Sequence, residues 1–156
     1  MTASLVLVLA FLIGALAGLR SLTAPAVVAF AAHQGWMNLR NTALSFMGST
    51  AALAIFALLA LGELVADKLP STPSRKAPVG FTSRILTGGL SGAAVGASVF
   101  GGAWIPGLGA GIVGAVVGTL GGYQFRMSLT KAIGNATAAA LLEDVIAIVG
   151  GYFIVR

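Results

Sequence analysis

Cysteine is absent from this chain, and charge nearly so: of 156 residues 8% are charged, and one is a histidine. The first absence excludes disulfides and thiolate metal sites, and His33 alone cannot assemble a zinc centre. The second excludes an ordinary water-facing surface, since a soluble domain carries roughly a quarter charged residues. Acids are scarcest: Glu63, Asp67, Glu143 and Asp144 stand against nine Lys and Arg, for a net charge of +5. A basic excess can signal nucleic acid, but these basic residues lie in connections between apolar runs. There they orient spans and meet lipid headgroups, so the partners expected are membrane lipids and not nucleic acid.

Apolar residues fill the rest, at 58% of the chain and a mean hydropathy of +1.00. The expected fold class is an all-α polytopic membrane protein, one transmembrane domain over 1–156. Its length allows five full spans of about 20 residues plus one short or re-entrant helix. Segment 1 covers about Ala3 to Leu19; it lacks the basic start of a signal peptide. The corner "RSLTAP" follows, where Thr23 reads as a hydroxyl cap and Pro25 as a first-turn proline. Segment 2, Ala24 to about Gln34, is short, and either spans thinly or re-enters. Segment 3 runs from Ser49 or Thr50 to Asp67, and residues 68–84 form the one long loop. Segments 4 (Ile85 to Gly102) and 5 (Gly107 to Tyr123) are rich in glycine. Segment 6 is interrupted: a turn at "SLTKAIG", a break at "GNAT" over 134–137, then a span from Ala138 to Val155.

Lys and Arg decide orientation. If segment 2 spans, Arg20, Lys68, Arg75, Lys76, Arg84, Arg126 and Lys131 share one face, against Arg40 and Arg156, seven to two. If it re-enters, the balance is six to three. Either way the 68–84 loop is expected in the cytoplasm.

Three features point beyond topology. Gly88, Gly92 and Gly96, and again Gly114, Gly118 and Gly122, recur every four residues. That spacing makes a small-residue stripe, a glycine-zipper seam within the monomer or in a homo-oligomer. The second feature is the acids. Glu63 and Asp67 share a face, and Glu143 and Asp144 fall inside the last span, where a carboxylate costs several kcal/mol unless paired, protonated or wet. A salt bridge to Arg20, Arg126 or Lys131 that holds helices together is the plain alternative, and it is the expected reading for Asp67, next to Lys68 at the interface. The third is a doubled corner. "RSLTAPA" at 20–26 echoes "RMSLTKA" at 126–132, and "LLALGELVADKLP" at 58–70 echoes "AALLEDVIAIVGG" at 139–151. This suggests an internal duplication, with 1–67 as one half and 85–156 as the other. Duplicated units with broken helices frame sites in many transporters. The expected substrate-binding set is Arg20, Ser21, Thr23, Glu63, Arg126, Ser128, Thr130, Glu143 and Asp144.

"GLRSLTAPAVVAFAA", "GELVADKLPSTPSRKAP", "GTLGGYQFR" and "LLEDVIAIVGG" together resemble a family of small bacterial membrane proteins catalogued only as a domain of unknown function. The resemblance covers nearly the whole chain. It implies a multi-pass protein of the bacterial cytoplasmic (inner) membrane and brings no activity with it. From the residues themselves, the expected function is a small transporter or permease for a small anionic or zwitterionic solute, with proton coupling as one option. The alternative is a glycine-packed scaffold or lipid-interacting protein whose charges are structural. No nucleophile–base pair or metal cluster is visible, so neither an enzyme nor a cofactor is expected.

Overall fold

The computed structural model describes residues 2–67, 78–99 and 103–156. Six α-helices, and no strand, occur among them: α1 (Ala3–Leu19), α2 (Thr23–His33), α3 (Thr50–Ala66), α4 (Pro78–Val99), α5 (Trp104–Ile133) and α6 (Ala136–Val155). A 3₁₀ turn over Ser45–Gly48 precedes α3. Caps mark several boundaries. Thr2 accepts from Leu5 N and Ser49 from Ala52 N. Gly134, left-handed at φ 71°, ends α5, and Asn135 accepts from Thr137 and Ala138 N to start α6. The triplet Asn135-Ala136-Thr137 is thus a helix start.

Two helices, α5 and α6, rather than five, are long and apolar enough to cross a membrane. α1 and α3 have 17 residues each, a length of about 25 Å, and α2 with 11 reaches about 17 Å. α4 has 22 residues, but glycine, serine, threonine and Arg84 dilute its apolarity. α4 also begins at Pro78, seven residues before the expected Ile85, so 78–84 is helical. Pro78 suits a first turn, and the Thr82 hydroxyl donates back to its carbonyl at 2.8 Å. The rest of the expected loop, 68–77, lies outside the described residues.

The core is built on close backbone approach between α1, α4 and α5. A Cβ on Gly14 would strike the Gly111 backbone, one on Gly118 the Ala15 backbone, and one on Gly92 the Gly107 carbonyl. α5 therefore shows α4 one face and α1 another, with Gly111 at the junction. Contacts rise together along α1 and α5, which run parallel, and oppositely along α4 and α5, which run antiparallel. α2 and α3 form an antiparallel hairpin on the side of this trio. His33 Nδ1 lies 3.2 Å from Gly48 O at one end of it, and Glu63 meets Ser21 and Leu22 at the other. Of α3, only Ala52 is buried. Large apolar side chains such as Ile55, Leu58, Leu61, Val145 and Phe153 stay exposed.

Candidate functional site

The hairpin topology brings the end of α1, the start of α2, the end of α3 and the inner parts of α5 and α6 to one place. All four acids of the chain are there. Arg20 follows α1 with an extended backbone (φ −140°, ψ 108°), which turns its side chain out of the helix and into the bundle. The residue is wholly buried. Its Nη1 donates to Asp67 Oδ2 at 2.6 Å, and its Nη2 donates to Asp144 Oδ1. One guanidinium thus ties α3 to α6 in two directions, which its planar fork permits.

Arg126 extends the network. Its Nη1 lies 3.8 Å from Asp67 Oδ2 and 3.7 Å from Glu143 Oε2. These are ion pairs beyond hydrogen-bond length. Arg126 is a quarter exposed, whereas Glu143 is wholly buried. The network is therefore exposed on the Arg126 side and closed at Arg20. Arg84, on α4, is also buried, with Nη1 3.3 Å from Gly80 O.

Glu63 plays a different part. Oε1 accepts from Ser21 N at 2.8 Å and Ser21 Oγ at 2.7 Å, and Oε2 accepts from Leu22 N at 2.8 Å. It caps α2 from another helix. The expected cap, Thr23, is instead buried inside α2, and no side chain at the local cap position, Leu22, fills that role. A carboxylate accepting backbone N–H groups beside a helix start is the stronger partner there, so it displaces the local hydroxyl.

Of the nine expected site residues, Arg20, Ser21, Glu63, Arg126, Glu143 and Asp144 meet, and Thr23 lies buried beside them. Ser128 and Thr130 do not frame a second corner. α5 runs unbroken through 123–133, so the span expected to stop at Tyr123 continues to Ile133. Ser128 lies about 200° around the helix from Arg126 and is exposed. Thr130, one turn beyond Arg126, gives its carbonyl to the N–H of Gly134. The matching letters at 20–26 and 126–132 thus adopt different structures, because Pro25 and the Glu63 cap are found only at the first. Asp67, expected in a structural salt bridge, bridges Arg20 and Arg126; its neighbour Lys68 lies outside the described residues. The spacing of Asp67 from Glu63, one turn on the same face, is the signal in the sequence for that role.

Among the described residues no group of acids and histidines could hold a metal ion. At the opposite end of the bundle, Phe30, Trp36 and Tyr152 stack edge to face at 5.5 and 5.6 Å. Arg156 Nη1 donates to Tyr152 Oη at 2.7 Å. A cavity of about 580 Å³ opens at this second end, between α2 and the start of α3.

No curated protein and no solved structure matches this chain. The family model described as Domain of unknown function (DUF4126) matches residues 7–156, and the chain belongs to that family.

Proposed function

We propose that this chain is a multi-pass protein of the bacterial cytoplasmic membrane that moves a small anionic or zwitterionic solute, with the Arg20–Arg126–carboxylate network as its cytoplasmic gate. The observation that carries the reading is the network itself. It places a wholly buried guanidinium and a wholly buried glutamate inside a bundle whose core is chiefly apolar. Such groups cost several kcal/mol in hydrocarbon and mark pathways by default. Three further observations bear on a gate against a fixed clasp. The Arg126 pairs are beyond hydrogen-bond length and Arg126 is partly exposed, so they are weaker than the pairs of Arg20. α3 packs chiefly on α2 and the 3₁₀ turn, and Asp67 links its end to Arg20 and Arg126, so losing those links leaves that end held to the α1–α2 corner by Glu63. The cavity lies at the other end, as an outward-open state requires. Protonating Glu143 would remove one half of its pair with Arg126 and couple opening to a proton.

Orientation follows the positive-inside rule. Arg20, Arg84, Arg126 and Lys131 share the network end, and Arg40 and Arg156 the aromatic end. The Trp36–Tyr152 cluster suits the opposite interface. Because the chain has no native cysteine, single cysteines report its sidedness directly. Gln34→Cys is expected to react with an impermeant maleimide on intact cells, and Ser128→Cys only after permeabilisation. The reverse pattern would invert the topology.

The scaffold reading draws on Glu63, whose oxygens are spent on the α1–α2 corner. Reconstitution separates the two. In proteoliposomes with an internal pH dye, the wild type is expected to pass protons when inorganic phosphate or succinate is added outside. Glu143→Gln should lose that flux while melting with the wild type. An inert wild type, with a destabilised Glu143→Gln variant, would leave the network as a clasp and end the transport reading.

A further inference from the structure

The cavity at the aromatic end has its own chemistry. Its polar lining comes from His33, Asn38, Arg40, Ser45 and Ser49. Several acceptors there are already spent. Gly48 O faces His33 Nδ1 at 3.2 Å, which assigns the proton to that nitrogen. Asn38 Oδ1 takes the Arg40 N–H at 3.2 Å, and Ser49 Oγ takes the Ala52 N–H at 3.1 Å. What remains is rich in donors: the Arg40 guanidinium, the Asn38 amide N–H groups, and the Ser45 and Ser49 hydroxyls. No acidic side chain lines the cavity, because all four acids of the chain sit at the other end. Arg40 therefore makes no ion pair among the described residues. Asn41, left-handed at φ 65°, turns the chain directly after it, a conformation asparagine tolerates well. A volume of about 580 Å³ falls within the range of small-ligand sites.

We infer that this cavity binds a small anionic group, a phosphate or a carboxylate, with Arg40 as its counter-charge and Asn38, Ser45 and Ser49 as hydrogen-bond donors. The inference rests on the transport reading only in making this group the solute's point of entry. Binding itself needs no flux. Two sources could supply the group: a free solute from the aqueous side, or the phosphate of a lipid headgroup, since the aromatic cluster marks this end as interfacial.

The test is calorimetric titration of inorganic phosphate, and separately succinate, onto the full chain in phosphatidylcholine nanodiscs. Binding of one or both is expected, and Arg40→Gln should weaken it about ten- to a hundredfold, the scale of hydrogen bonds to a charged partner. Asn38→Ala is expected to weaken it less. Arg40 is exposed and holds Asn38 through its backbone, so Arg40→Gln should melt with the wild type. The second arm identifies the source. If neither free anion binds, but native mass spectrometry shows phosphatidylglycerol retained by the wild type and lost in Arg40→Gln, the group is a headgroup and the site stands. If nothing binds in either arm, or if Arg40→Gln binds like the wild type, the inference is overturned. Arg40-dependent binding without flux would sink the transport reading and leave this site; flux without it would do the opposite.

Discussion

Arg20→Gln is expected to cost about 3–5 kcal/mol of stability, the scale of breaking a buried ion pair by removing one partner. Against a total of roughly 5–15 kcal/mol, that leaves little folded protein at growth temperature. Arg20 is wholly buried and donates to Asp67 and Asp144 at once, so its loss removes a shared cation from two carboxylates. Lysine should not rescue, because one ammonium cannot reproduce a fork that reaches two acids in different directions. Neutralising a partner should help: Arg20→Gln combined with Asp144→Asn is expected to recover part of the lost stability. Thermal unfolding in detergent, with limited proteolysis as a second readout, measures each step. A single variant that melts with the wild type would show that this arginine is not the centre of the network.

Gly118→Leu is expected to do comparable damage by a different route. A Cβ there would sit 2.7 Å from the Ala15 carbonyl carbon and 2.8 Å from its Cα. Both are backbone atoms, so no rotamer change relieves the clash and α1 must move away from α5. Overpacking of this kind costs about 3 kcal/mol or more when backbone is displaced. The control lies on the same helix. At Gly109 and Gly121 nothing lies within 4 Å of the place a Cβ would take. Leucine at either should be neutral, or gain up to about 1 kcal/mol from helix propensity. Melting temperature and size-exclusion profile distinguish these outcomes. If Gly118→Leu and Gly121→Leu behave alike, α1 and α5 do not meet at this seam.

Local rules account for much of what the amino-acid order already determines. α1, α2 and α3 begin and end within a residue or two of where apolar runs, hydroxyls and Pro25 place them. Gly134-Asn135 separates two helices because one residue tolerates a left-handed turn and the next offers a capping oxygen. The cost of isolated charge in an apolar chain is enough by itself to single out Arg20, Arg126, Glu143 and Asp144. Three matters were decided only by the tertiary structure. Asp67 reads along the chain as half of a structural salt bridge; that it serves Arg20 and Arg126 together is decided once the α2–α3 hairpin carries it back to Arg20. "RMSLTKA" reads as a second corner, yet stays helical, since a corner at "RSLTAPA" depends on a glutamate 42 positions away in sequence that accepts from Ser21 N. Thr23 reads as a cap, and Glu63 supplies the cap instead. The common reason is range. Propensity, periodicity and capping act over a few residues and can be read along the chain. Which carboxylate reaches which donor depends on helix crossings, and those are set by how closely glycine backbones approach across α1, α4 and α5.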